Sequence, residues 1–200
     1  MVDSRFAVYL IPPYPLSRDI AEIHRMLQKV YGFKAGGRFQ VHATVKGFFK
    51  NNSGDLQLLL TGLDDLFQQE TSFTVEFNGF RMDPIGLGFD LLELDGKPNQ
   101  PFLDFRQRVV DAIHPFIAPD CDFADHDLGR PFHPHITLAF KDIAPSMYPE
   151  VIDFLKPAPL PKGTFIASIF HFLEFFSDDW EGAWWESLTW KFIKGWKLTP

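Results

Sequence analysis

Cysteine is almost missing from this chain, with one residue, Cys121, in 200. That excludes an intramolecular disulfide framework and a multi-cysteine zinc site, and leaves a buried or inert thiol as the expected reading. Long apolar runs are missing too: no stretch approaches the roughly 20 residues of a membrane span. The amino terminus passes from Arg5 straight into a strand-like run without a signal-peptide pattern. A soluble, cytoplasmic protein without a membrane partner is expected. Positive charge is in deficit, with 19 Lys and Arg against 26 Asp and Glu and a net charge of −7. A long footprint on a nucleic-acid backbone is thereby disfavoured, whereas a small phosphorylated ligand or an RNA end stays open. Nor does any low-complexity segment or Gly/Ser linker cut the chain. What is present is apolar and aromatic. Hydrophobic residues make up 46% and aromatic residues 16% of the sequence, enough for a sizeable core in one large domain or two intimately packed lobes over residues 1–200.

Periodicity predicts an α+β protein. Arg5 to Ile11 reads as a buried strand, stopped by Pro12 to Pro15. Ser17 is a candidate N-cap for a first helix, with Ile20, Ile23, Leu27 and Val30 at helical spacing and Gly32 as its stop. Val41 to Lys50 is β-branched and aromatic, hence a strand, and Leu56, Leu59, Leu60, Leu63 and Phe67 mark a second helix. Phe73, Val75 and Phe77 alternate with polar neighbours and are expected to pair with Gly88 to Leu94 across Asp83-Pro84-Ile85-Gly86. Pro101 opens a third helix with Phe102, Phe105, Val109, Ile113 and Phe116 as its apolar face. His133 to Phe140 reads as a strand, Pro145 to Leu155 as a helix, and Thr164 to Phe176 with Trp184 to Leu198 as a closing strand pair. Strands and helices do not alternate regularly enough for a doubly wound parallel sheet. A strand-then-helix echo instead points to two similar lobes.

One pattern occurs in both halves: His42-Ala43-Thr44-Val45 and His135-Ile136-Thr137-Leu138, each H-x-T followed by an aliphatic residue. Side chains alternate faces along a strand, so each histidine shares a face with the threonine two residues on, while Val45, Ile136 and Leu138 turn to the core. Facing lobes would then place two imidazoles on either side of a cleft floored by two hydroxyls. That set suits a reaction at phosphorus, in which one group takes a proton from the nucleophile and another gives one to the leaving oxygen. Histidine titrates near neutrality, and threonine hydroxyls can donate to the non-bridging oxygens as negative charge grows. Neither a metal nor another cofactor is required by this chemistry. Lys46, expected on the same strand face as His42 and Thr44, and Arg130, upstream of the second motif, are candidate substrate-binding cations.

Blander readings exist for each feature. A lone H-x-T arises often by chance, but two copies in corresponding settings are hard to obtain from packing alone. His133 with His135, and Asp125, His126 and Asp127 before them, offer metal-ligand residue types, yet a metal site there leaves His42 and Thr44 unexplained. His24, His114 and His171 fall in helix or strand patterns and read as structural. Trp180, Trp184, Trp185, Trp190 and Trp196 crowd the last strands, where alternation would put Trp184, Trp190 and Trp196 on one face and leave a subset to stack on a base.

The doubled motif, the opening RFAVYLIPP, PHITLAF (Pro134 to Phe140) and the aromatic carboxy-terminal strands resemble the two-histidine (2H) phosphoesterase superfamily, which includes RNA 2',3'-cyclic phosphodiesterases and 2'-5' RNA ligase-like proteins. The resemblance spans nearly the whole chain. It implies a bilobal α+β fold with a pseudo-twofold pair of antiparallel sheets lining a central cleft and helices outside. Its catalytic residues fall on His42, Thr44, His135 and Thr137. Hydrolysis of a 2',3'-cyclic phosphate on an RNA end or small nucleotide follows as the expected activity, with His135 activating water and His42 protonating the leaving ribose oxygen, or with these two roles exchanged. Many relatives place an arginine directly after the second motif, where this chain has Phe140-Lys141. A monomer is expected. The alternatives are an RNA-end or nucleotide binding protein without catalysis, and a 2'-5' RNA ligase, the latter opposed by water at about 55 M unless a second RNA end is held in place.

Overall fold

In the computed structural model, which describes residues 3–52, 56–121 and 131–200, the first strand, β1 (Ser4–Leu10), lies inside a seven-stranded antiparallel sheet. Its other members are β2 (Ala43–Phe49), β4 (Phe80–Asp83), β5 (Gly86–Asp90), β8 (His135–Phe140), β10 (Ile169–Phe176) and β11 (Thr189–Lys197). Their order across the sheet is β11-β10-β1-β2-β8-β5-β4. The two H-x-T strands, β2 and β8, are therefore neighbours at its centre. They are registered only at Ala43 and Ile136, and that seam divides a four-stranded half from a three-stranded half. Two lobes were expected to carry separate sheets, and in the structure the halves join into one. Two small two-stranded sheets lie apart from it, β3 (Phe73–Glu76) with β9 (Thr164–Ala167) and β6 (Glu93–Leu94) with β7 (Lys97–Pro98).

Helices α1 (Leu16–Tyr31), α2 (Leu56–Gln69), α3 (Gln100–Ile113) and α4 (Tyr148–Leu155) bury their apolar stripes in one core with one face of the sheet. In α1 that stripe is Ile20, Ile23 and Leu27. Gly32, at φ 80°, ends it with its N–H on the Gln28 carbonyl, a left-handed stop that a side chain would strain. The helix begins at Leu16 behind Pro15, with no side-chain cap, rather than at Ser17. α3 begins as Pro101 led one to expect, with Asn99 accepting a 3.3 Å hydrogen bond from the Phe102 amide. On the opposite face of the sheet, Ala7, Tyr9, Leu173 and Phe175 join Phe48, Trp180 and Trp184 in a smaller aromatic cluster. That face carries the cleft.

Two strand expectations need correction. Phe73 to Glu76 pairs with Thr164 to Ala167, and the strand facing Gly86 to Asp90 across the expected turn is Phe80 to Asp83. Local alternation identifies a strand but carries no information on a partner some ninety residues away. Trp184 and Trp185 lie in a short helix, α5 (Trp184–Ser187), ahead of β11. Among the described residues no helix is long and apolar enough to cross a membrane.

Candidate active site

Alternation along the central strands produces the site. Across the seam, the pairing of Ala43 with Ile136 sets His42 opposite Thr137 and Thr44 opposite His135, as an antiparallel twofold requires. Ala43, Val45, Ile136 and Leu138 are buried in the main core. His42, Thr44, His135 and Thr137 are half-buried and line a cleft of about 640 Å³, a volume fit for a nucleotide-sized ligand. Neither threonine hydroxyl has a hydrogen-bond partner among the described residues, so both remain available to a ligand.

The two imidazoles are held alike. His42 Nδ1 lies 2.7 Å from the Gln40 carbonyl and His135 Nδ1 lies 2.9 Å from the His133 carbonyl. A carbonyl only accepts, so in each ring Nδ1 carries the proton and Nε2 is left for the cleft. In both halves the residue two before the histidine is itself anchored. Gln40 Oε1 accepts from His171 Nδ1 at 2.9 Å, and His133 Nε2 donates to Asp90 at 2.9 Å. His24, from α1, donates through Nε2 to the Thr137 carbonyl at 2.8 Å and so fixes the second strand from behind.

Their electrostatic surroundings differ. The His42 ring stacks on Tyr9 at 3.5 Å between centroids and lies 5.7 Å from Phe39. Burial pushes its conjugate acid down to about 3, against the hydrogen bond to Gln40 and with the fields of His135 and His24 adding. Burial lowers His135 as well, but the His133 carbonyl and the Asp83 carboxylate oppose it while Arg81 and His133 reinforce it. Burial thus disfavours a proton on His42, while at His135 the carboxylate of Asp83 and the charge of Arg81 act in opposite directions.

Lys46 does not reach the cleft. Tyr9 pairs with Thr44 but the next residue back, Val8, pairs with Lys46, so a bulge at Val45 breaks the alternation. Lys46 turns into the core, 1% exposed, with its ammonium 5.5 Å from the Phe49 ring and donating to the Gly47 carbonyl. Gly47 and Phe48 line the cleft beyond it. Arg130, Asp125, His126 and Asp127 lie outside the described residues.

Cations that the motif reading missed do line the cleft. Arg106 of α3 is 5% exposed and sits 4.6 Å over the Phe132 ring. Its signal was a charge inside the apolar stripe that runs from Phe102 to Ile113. Arg81 is held in a two-bond fork by Asp83, at 2.6 and 2.5 Å. Lys141 occupies the position after the second motif with φ 67° and sets its ammonium 5.3 Å from the Trp185 ring. Phe39, Phe48, Phe140 and Trp184 form an aromatic wall. Two glycines permit this close fit. A Cβ on Gly88 would lie 2.5 Å from the Ile136 carbonyl oxygen, and one on Gly36 would lie 2.6 Å from that of Leu138. Their bare backbones let β5, and the turn that delivers Phe39 and Gln40, press against β8.

Comparison with known proteins agrees with this architecture. Escherichia coli LigT in its apo form superposes with a TM-score of 0.56 at 15% identity, covering 99% of each chain. The same protein has been crystallised with 3'-AMP, where the TM-score is 0.56 at 13% identity, covering 98% of this chain and 99% of that one. TT0787 of Thermus thermophilus gives a TM-score of 0.62 at 16% identity over 97% of both chains. At such identities the likeness is one of fold. No curated protein sequence matches. The 2'-5' RNA ligase superfamily profile matches residues 12–174, both H-x-T strands included, and the chain therefore belongs to the 2'-5' RNA ligase superfamily, within the wider group of two-histidine phosphoesterases.

Proposed function

We propose that the protein is a phosphodiesterase that opens the 2',3'-cyclic phosphate of an RNA end or small nucleotide to a phosphomonoester, using His42 and His135 for both proton transfers. The observation that carries this reading is the matched pair of imidazoles, each with Nδ1 tied to a carbonyl two residues upstream and Nε2 left to the cleft. The phosphate would sit between them, its non-bridging oxygens accepting from Thr44 and Thr137. Water attacks phosphorus as one Nε2 takes its proton, the bond to a ribose oxygen breaks, and the other Nε2 supplies the proton that oxygen needs. We assign the base to His42 and the acid to His135, the second of the two divisions that the sequence left open. In the complex one imidazole must be protonated. Burial depresses His42 to about 3, whereas at His135 the same burial is opposed by the His133 carbonyl and by Asp83, whose charge Arg81 counters, so His135 is the ring that takes the proton more readily. Binding the anionic phosphate raises both rings and makes that protonated state accessible near neutral pH. E. coli LigT accepts 3'-AMP and ATP in crystals, which supports a nucleotide in the equivalent cleft here, its base against the aromatic wall and its phosphates near Arg106 and Lys141.

The test is hydrolysis of nucleoside 2',3'-cyclic monophosphates, and of an oligonucleotide ending in one, with excess chelator. His42→Ala and His135→Ala are each expected to lose at least a hundredfold in kcat while keeping the wild-type circular dichroism and Tm. Full activity in either variant removes the mechanism. Tight binding without turnover by the wild type would establish a binding protein instead, and joining of two RNA ends in place of hydrolysis would establish a ligase.

A further inference from the structure

The sheet carries one row of cross-strand neighbours past the reacting histidines. Asp90 aligns with His135, Thr44 with Tyr9, Tyr9 with His171, and His171 with Gly195 at the edge strand β11. On the cleft face of β11, Leu173 is paired with Phe192 and Phe175 with Trp190. Both rings are uncovered, Phe192 at 51% and Trp190 at 39% exposure. Neither is adrift. Phe192 packs edge-on against His171 at 5.1 Å, and His171 holds Gln40, whose carbonyl holds His42. Trp190 Nε1 donates to the Arg38 carbonyl at 3.1 Å, in the turn that delivers Phe39 to the cleft. At Gly195 a Cβ would lie 3.2 Å from Phe192 and 3.3 Å from His171, so glycine there lets the two rings meet. Arg38, whose carbonyl takes the Trp190 bond, and Lys197, farther along the same strand beyond Gly195, are both exposed.

We propose that Phe192 and Trp190, with Arg38 and Lys197, form a second nucleotide subsite that stacks a base of a single-stranded RNA upstream of the reacting terminus. The inference rests on the phosphodiesterase reading and makes an RNA end, rather than a free mononucleotide, the substrate. Three strand spacings separate β2 from β11, about 14 Å, within reach of the next nucleotides of a strand whose end lies at His42. Two rings with open faces suit bases of any sequence, and the two cations suit the phosphates between them. Lys197 alternates to the same face as Phe192 and Trp190, whereas Lys194 turns to the helix side and is tied to Asp64 at 2.6 Å, so the cation that β11 offers to a polyanion on this face is Lys197.

The experiment compares kcat/KM on a trinucleotide ending in a 2',3'-cyclic phosphate with that on the mononucleoside cyclic phosphate, in wild type and in Trp190→Ala/Phe192→Ala. The wild type is expected to prefer the trinucleotide, and the double variant to lose about tenfold in that preference, chiefly through KM. Equal rates on both substrates in the wild type, or an unchanged preference in the variant, overturn the subsite. So does a wild-type dimer that Phe192→Ala dissociates, since that result gives the exposed rings to a second copy. If neither substrate is hydrolysed, the phosphodiesterase reading has failed. The subsite is then decided by fluorescence anisotropy of a labelled trinucleotide ending in a 3'-phosphate: weaker binding by the double variant retains it, and equal binding removes it.

Discussion

The two imidazoles of the cleft are equivalent in their hydrogen bonds and unequal in their surroundings, and the inequality can be read chemically. His42 lies against Tyr9 and Phe39, where a positive ring has only π-faces and little water to stabilise it. His135 shares its neighbourhood with the Asp83 carboxylate and with His133, which is tied to Asp90. If His135 is the acid, its removal matters only when the leaving oxygen needs a proton. A p-nitrophenyl phosphodiester departs without one. His135→Ala is therefore expected to recover within about tenfold of wild type on that substrate while staying inactive on the cyclic phosphate, and His42→Ala is expected to stay inactive on both. Steady-state kcat values on the two substrates check this, and recovery of His42→Ala alone would reverse the roles.

At the scale of single elements, the way β8 is hemmed in decides how well the second motif is placed. Gly88 pairs with Thr137 at a register shift in β5, and its missing Cβ accommodates the Ile136 carbonyl. Gly88→Ala must push β8 or β5 aside, and is expected to cost about 1–3 kcal/mol of stability and to lower kcat more than tenfold by displacing His135 and Thr137. Urea unfolding and kinetics measure the two effects, and a variant of unchanged stability and rate would show that the strands are not pressed together there. The same elements explain what the sequence revealed. His42, Thr44, His135 and Thr137 were legible because period-two alternation holds from His42 to Thr44 and along β8. Lys46 was misread because the bulge at Val45 adds a residue without marking itself in the sequence. Arg106 was legible in principle, as a charge in an apolar helical stripe. Gln40 and His171 were not, because their hydrogen bond joins residues far apart in the chain, and nothing local to either announces the other. The helices were foreseen nearly in full, since 3.6-residue periodicity is a local property, whereas the pairing of β3 with β9 depends on where distant strands are brought together.

For the whole molecule, the cleft imposes a cost that acid should expose. His24, His42, His135 and His171 all have conjugate acids lowered by burial, His42 to about 3. In the unfolded chain each titrates near its ordinary value of about 6.5. Above that value neither state binds the protons and these groups leave stability unchanged. As pH falls below it, the unfolded chain takes them up and the folded protein resists, so folding stability declines until each folded-state value is reached. Every such histidine adds a slope of up to about 1.4 kcal/mol per pH unit. The carboxylates that salt bridges hold low, Asp3, Asp64 and Asp120, lose their contribution only further down, near pH 4 and below, so the interval from pH 6.5 to 5 reports the histidines. Urea unfolding at pH 7, 6 and 5 is expected to show stability falling steadily, and His42→Gln, which leaves a side chain in the Tyr9 slot but nothing to protonate, is expected to flatten that fall. Stability that stays level from pH 7 to 5 in the wild type would mean that these rings accept protons as readily in the folded cleft as in water, and would remove the electrostatic basis for a neutral His42.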